Sequence, residues 1–421
     1  MTGIFSRSVV AAAAVLCLAG YVFVYATGRA DQPIRSDGFS YYVYLPAWFI
    51  FHDTTLAAVA KDCCGGEFPD FTAIIRWPGT RHWVNAHPIG VAIMQAPLFL
   101  IGHGLTRWSN LSADGFTLYY QHAAGLSGLF WTIAGLWSLR RLLVRHFTDT
   151  VTSVTLMVIL FGTNLYHYAT FDSSYSHAYS FFLCAAFLNL HDRWIRSPSR
   201  RLAVLLGLVS GLIVLTRHTN VLLPVLVLLL ATRWNETLRR SDDLLTIAVV
   251  AAAVVAPQAA LYYRATGRIL VSPYGALGFN LGSPAILGVL FSVKKGLFFW
   301  SPILLVAVAG LAMRSSGAPA FTRPAALFLI LNTYLIASWW DWQFGASYGH
   351  RGFVDSLPIF AVGLASFYEW SARRRARLPI VACATSILVG LSVFQMFQYW
   401  NRVLPMSDTT WEQYRSVFLR L

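Results

Sequence analysis

Eleven apolar runs of roughly membrane-spanning length succeed one another along this chain of 421 residues, and no water-soluble core accommodates that many. They lie near 9–27, 117–139, 151–171, 174–190, 202–216, 219–231, 244–263, 296–313, 322–339, 353–370 and 379–400. About 20 apolar residues are needed to cross a bilayer as a helix, and only helices and closed barrels satisfy their backbone groups there. Composition agrees: 57% of the residues are hydrophobic and 12% charged, where soluble domains carry about a quarter charged. The expected fold is all-α, a polytopic transmembrane helical protein with about 11 spans. The runs 202–216 and 219–231 are short and read as a tight pair. Residues 9–27 follow one basic residue and precede small ones, as in a secretory signal, but the run is long enough for an uncleaved first span.

One stretch is ambiguous. "HPIGVAIMQAPLFLIGHGL" (87–105) is apolar but carries Pro88, Pro97 and several glycines. Charge placement decides its reading. With 87–105 lying at the interface instead of crossing, 17 of the 32 Lys and Arg, and six of the 18 acids, fall on the side of the N-terminus. The net charge of +14 then divides as +11 on that side and +3 on the other, a positive-inside pattern. This explains the basic balance without a nucleic-acid partner, and no nucleic-acid-binding module is present. The expected organisation is one integral membrane domain over 1–421, a first outer loop with juxtamembrane helices over 28–116, and a short outer tail over 401–421.

Cysteine usage says little. Cys17, Cys184 and Cys383 lie in apolar runs and read as packing residues. Cys63 and Cys64 are adjacent in "KDCCGGEF", and a vicinal disulfide, a pairing with another chain and free thiols all remain open. No metal-ligand spacing occurs.

The same topology gathers the unusual polar residues on the outer side: Asp37, His87, Asp172, His177, Arg217, His218, Lys294, Lys295, Asp341, His350 and Arg351. Ionisable groups that interrupt apolar sequence, as in "FDSSYSHAYS" and "LTRHTN", mark functional cavities. An outward-facing polar cavity between helices is expected. Asp37, in "RSDGFSYYVYLPAWF" with Tyr41 beside it, reads either as a working carboxylate or as a solvated loop acid at an aromatic belt. Asp172 reads as a site acid, as an orienter of His177, or as a helix N-cap. His177 reads equally as an ordinary interior histidine, and His87 is a weaker candidate.

Lys294 and Lys295 either meet an anion or snorkel to water. Arg217, beside His218, needs an anionic partner, a ligand phosphate or an internal Asp. Arg351 binds phosphate or pairs with Asp341 or Asp355.

A first helix, an Asp-bearing outer loop, the Pro-rich "AHPIGVAIMQAPLFLIGH" and a helix ending in Arg-Arg resemble the bacterial GT-C glycosyltransferases, the protein-mannosyltransferase and aminoarabinose-transferase relatives. "SYSHAYSFF" (174–182), "FSVKKGLFFWSPILL" (291–305) and "WWDWQFGASYGHRGFVDSLPIFAVGLA" (339–365) add to the resemblance, which covers most of the chain.

The resemblance implies an inverting glycosyltransferase. It would use a polyprenyl-phosphate sugar donor and a glycan, lipid or protein acceptor of the cell envelope, on the periplasmic face of a bacterial inner membrane. Such transfer needs a base for the acceptor hydroxyl and cations for the departing phosphate. By position Asp37 matches the family's loop acid and Asp172 its second acid; these are the catalytic assignments. Lys294, Lys295, Arg217, His218, His177, Arg351, His87 and Tyr41 are assigned to substrate binding. Many relatives carry two adjacent loop acids, whereas Gly38 stands in the second place here, and no DxD occurs. No metal site and no cofactor are therefore expected. A transporter or flippase of a lipid-linked sugar is the alternative, and it predicts polar groups at the midplane and inner side rather than at one face.

Overall fold

The structure is a computed structural model that describes residues 3–80, 82–233, 235–236, 239–271, 277–313 and 319–420. Among the described residues it is mostly helical, with one two-stranded sheet. Helix α1 (Ile4–Ala26) leads into a loop layer of short helices α2 (Asp37–Tyr42), α3 (Tyr44–Phe49) and α4 (Ala57–Cys64), with strands β1 (Ile74–Arg76) and β2 (Trp83–Asn85). The strands pair antiparallel, Ile75 opposite Val84. Then follow α5 (Gly90–Trp108), α6 (Leu118–Leu143), α7 (Asp149–Phe161), α8 (Leu165–Thr170), α9 (Ser176–Arg196), α10 (Arg200–Thr216), α11 (Leu222–Leu230) and α12 (Ser241–Thr266). The last part holds α13 (Ile286–Phe291), α14 (Leu297–Trp300), α15 (Ile303–Ala312), α16 (Thr322–Ser338), α17 (Leu357–Ala372), α18 (Leu378–Trp400) and α19 (Trp411–Val417).

Every one of the eleven apolar runs carries a helix, but not every run is one continuous helix. Residues 151–171 break after Phe161 into α7 and α8, and 296–313 break around Ser301-Pro302 into α14 and α15. Proline cannot donate a backbone hydrogen bond, so Pro302 is compatible with a helix start and not with its interior. Among the described residues three helical stretches, Ile4–Ala26, Ser241–Thr266 and Arg375–Trp400, are long and apolar enough by themselves to cross a membrane. The helices pack closely where side chains are absent: a Cβ on Gly310 of α15 would lie 1.9 Å from the carbonyl oxygen of Gly363 in α17. Small residues of this kind let helix backbones approach in a bilayer.

The helix ends sort into two poles. At one, the Phe5 and Ser6 amides of α1 donate to the Asp149 carboxylate (3.0 and 3.3 Å), a favourable place for an anion. Arg140 reaches Ser6 Oγ at 2.7 Å. Asp192 collects Arg145 and His146 (2.7 and 2.8 Å), and Trp194 donates to Asp243. At the other pole Tyr25 donates to the Phe171 carbonyl (2.8 Å), and Arg29 reaches Asn401 past the end of α18.

The loop layer stands at this second pole with its own apolar core, including Tyr42, Leu45, Phe99 and Tyr120. Helix α5 runs antiparallel along the first half of α6. Trp131 Nε1 donates to the Met94 carbonyl at 3.0 Å, and a Cβ on Gly102 would touch the Tyr119 carbonyl. Cys63 and Cys64, at the end of α4, are joined as a vicinal disulfide. The tail folds back on α18, with Gln395 donating to Tyr414 and Gln398 to Val417.

Candidate active site

Between the loop layer and the ends of α9, α10 and α16 lies a cavity of about 460 Å³. One wall is Asp37 and Tyr41 of α2 with Ala73, Ala86 and His87; the other is Ser176, His177, Arg217 and His218, closed by Trp340, Asp341, Phe344 and Arg351. Seven of the ten residues expected from sequence thus line one cavity: Asp37, Tyr41, His87, His177, Arg217, His218 and Arg351. Asp172, Lys294 and Lys295 do not.

The central contact is an ion pair. Arg351 Nη1 lies 2.7 Å from Asp37 Oδ2, with the two side chains 13% and 24% exposed. Sequence reading offered Asp341 or Asp355 as partner for Arg351; the structure supplies Asp37. Burial disfavours the Arg351 charge, but Asp37 and the surrounding tyrosines outweigh it and hold the guanidinium protonated.

The second arginine, Arg217, meets Asp355 at 3.5 Å, and the same carboxylate oxygen accepts from Asn220 at 2.5 Å. Phe344 is shared by the two arginines, its ring centroid 5.7 Å from the Arg217 guanidinium and 5.8 Å from that of Arg351. Phe344 has φ +56°, a region that non-glycine residues seldom occupy and that clusters at ligand sites. The aromatic loop is visible in the sequence but this shared ring is not; the Gly345 that follows is its only local signal.

The histidines are packed by rings. His87 meets the Tyr41 ring edge-on at 4.5 Å, and burial lowers its pKa. Its Nδ1 has no hydrogen-bond partner among the described residues, nor has that of His177, which packs on Tyr168 at 4.5 Å. Both rings therefore border the cavity with polar capacity to spare.

Three of the assigned residues stand away from this cavity. Lys294 pairs with Asp408 at 3.3 Å on the surface. Lys295 is 2% exposed and donates to the Ser347 and Met406 carbonyls, tying the 339–351 loop to the tail; burial pulls its pKa down to about 7. Adjacent lysines in a loop look equivalent in sequence, and only packing reveals that one is a structural pin.

Asp172 is 6% exposed and has both oxygens engaged, by Arg35 (2.7 Å) and His167 (2.9 Å). It does not cap α9, whose N-cap is Tyr175, and it orients His167 rather than His177. Burial would raise its pKa, but Arg35 and His167 hold it below the usual carboxylate range.

The site can therefore present two carboxylates (Asp37 and Asp341), two guanidiniums and three imidazoles to a ligand of moderate size. Among the described residues no three His, Cys, Asp or Glu side chains converge as a metal site.

No family model matches the sequence, and no curated protein matches it significantly. Solved structures do match in fold. One is the archaeal oligosaccharyltransferase AglB from Archaeoglobus fulgidus in complex with an inhibitory peptide and a dolichol-phosphate. It is 10% identical with a TM-score of 0.55, and the match covers 98% of this chain and 57% of that one. Another is an Archaeoglobus fulgidus oligosaccharyltransferase complex with zinc and sulfate, 13% identical with a TM-score of 0.51 and the same coverage. The chain thus spans 57% of the length of these two proteins. Over 98% of its length the chain shares its overall fold with these two proteins.

Proposed function

We propose that the chain is a membrane glycosyltransferase that moves a sugar from a polyprenyl-phosphate donor to a hydroxyl of a glycan, lipid or protein acceptor. The observation that carries this reading is Asp37, a carboxylate held against the Arg351 guanidinium at the wall of a polar cavity. In the reaction the donor phosphate takes over Arg351, with Arg217 lining the same cavity beside Phe344. Asp37, released, accepts the proton of the acceptor hydroxyl as its oxygen attacks the anomeric carbon. The bond from that carbon to the phosphate oxygen breaks, its electron pair leaving on the phosphate, whose growing charge the two arginines stabilise. Attack opposite the leaving group inverts the anomeric centre. Polyprenyl phosphate departs, and Asp37 gives its proton to solvent.

The pole bearing the cavity is the periplasmic one in this reading, and the opposite, arginine-rich pole is cytoplasmic. About eleven spans cross a bacterial inner membrane, several of them as broken helices. The placement of the polar cavity at one pole favours an enzyme over a flippase. Purified protein incubated with a panel of polyprenyl-phosphate sugars tests this: donor hydrolysis or transfer is expected for one of them. Binding and translocation of a donor in vesicles without loss of its sugar would establish the flippase instead.

A further inference from the structure

Two residues before Asp37 stands Arg35, whose anchorage no part of the proposed chemistry explains. Its Nη2 lies 2.7 Å from Asp172 Oδ1 and 3.0 Å from the Phe171 carbonyl, with the guanidinium 4.6 Å from the Phe171 ring centroid. The other oxygen of Asp172 meets His167 Nε2 at 2.9 Å, and His167 Nδ1 receives the Trp400 indole N–H at 2.9 Å. An indole nitrogen only donates, so Nδ1 is the acceptor and the ring proton sits on Nε2, facing Asp172. The polar chain is thus directed: Trp400 to His167 to Asp172, with Arg35 donating from the other end.

All four members cluster at the second pole, and Asp172, His167 and Trp400 are buried. Hydrophobic residues of similar volume would stabilise such a place at least as well as a buried ion pair. What the polar chain provides instead is a fixed position. The segment it grips is held along its whole length: Ile34 N donates to Gln121 Oε1 at 2.9 Å, and Ser174 Oγ donates to the Pro33 carbonyl at 2.7 Å. Between Arg35 and Asp37 the backbone of Ser36 takes φ +46° and ψ −130°, a conformation that persists only where the surroundings over-determine it. That turn delivers Asp37 into the cavity.

We infer that Asp172 is a positioning residue: with His167 and Trp400 it holds Arg35, and through Arg35 and the strained Ser36 it sets the Asp37 carboxylate. The inference rests on the proposed role of Asp37 and assigns Asp172 no contact with substrate.

The test compares Asp172→Asn and Arg35→Lys with the full-length wild type in detergent or nanodiscs. Lysine keeps the charge of Arg35 but loses its planar fork. Amide hydrogen exchange over residues 36–43 is expected to quicken about tenfold in both variants, with peptides of α6 unchanged. Turnover of the donor is expected to fall about 10- to 100-fold, the scale of a misplacement near 1 Å. Donor affinity should not fall, since neither residue touches donor in this account and a displaced Asp37 holds Arg351 less firmly. The double variant Asp37→Asn/Asp172→Asn should lose no more turnover than Asp37→Asn alone, because both act through one carboxylate.

Unchanged exchange over 36–43 overturns the inference, whatever the activity. So does a double variant in which the two losses multiply, which would make Asp172 an independent participant. Parallel loss of donor affinity and of global exchange protection would reduce it to a structural residue. A wild type that consumes no donor fails the glycosyltransferase reading alone, and the exchange experiment still decides the positioning.

Discussion

Asp37 Oδ2 and Arg351 Nη1 stand 2.7 Å apart at the cavity wall, so the proposed base and the proposed phosphate anchor are each other's partner before any ligand arrives. A donor phosphate must compete with Asp37 for Arg351. It follows that Asp37→Asn lowers transfer about 10²- to 10⁴-fold, leaving a measurable residual rate, yet tightens donor binding severalfold, because Arg351 is then uncommitted. Isothermal titration with a non-hydrolysable polyprenyl-phosphate sugar reads this directly. Weaker binding in Asp37→Asn would mean that Asp37 holds the donor and that the competition does not exist.

Gly38 explains why no second acid follows Asp37. A Cβ at this position would lie 2.1 Å from Ser174 Oγ and 3.1 Å from Ser174 Cβ. Ser174 cannot easily turn away, since its hydroxyl donates to the Pro33 carbonyl at 2.7 Å. Gly38→Ala is expected to destabilise the fold by about 1–3 kcal/mol through overpacking, and Gly38→Asp by more, without creating metal-dependent activity. Thermal melting of the two variants, with and without added divalent ions, checks both statements. A well-folded Gly38→Asp variant whose activity rises with a divalent ion would show that the place is open to a second ligand.

The sequence made the helices and the sidedness of the site legible, and packing decided the rest. Apolar runs and charge asymmetry suffice to find helices and to put Asp37, His87, His177, Arg217 and Arg351 on one side. They do not say which way a side chain turns. Lys294 and Lys295 are neighbours, yet one reaches Asp408 at the surface and the other is buried on two carbonyls. Arg35 was in plain view beside Asp37, and His167 stood five residues before Asp172 inside an apolar run. Their connection spans more than 130 residues and closes only through Trp400, a long-range contact that no local pattern encodes.

Acid stability provides a prediction from the same chain. The Asp172 pKa is depressed in the folded protein: burial opposes its charge, but Arg35 and His167 prevail. A depressed carboxylate contributes stability above its unfolded pKa, about 3.9, and loses it as pH falls toward the folded value. The melting temperature of wild type should therefore exceed that of Asp172→Asn by a constant margin from pH 7 to about 5. The margin should shrink only below about pH 4. A margin that closed between pH 7 and 6 would place the titration on a histidine instead.

Arg217 has two duties that double substitution can separate. Asp355 is 1% exposed and gives one oxygen to both Arg217 (3.5 Å) and Asn220 (2.5 Å). Removing the acid strands a guanidinium that is mostly buried, so Asp355→Ala should cost about 3 kcal/mol, in the range measured for broken buried pairs. Replacing both partners by apolar groups removes the stranded charge along with its partner. Asp355→Leu/Arg217→Met should thus recover most of the stability. It should not recover donor affinity, which needs the Arg217 charge beside Phe344. Chemical denaturation and donor titration on the single and double variants provide the two readouts. If the double variant binds donor as well as wild type, Arg217 serves only the fold, and the phosphate is left to Arg351 alone.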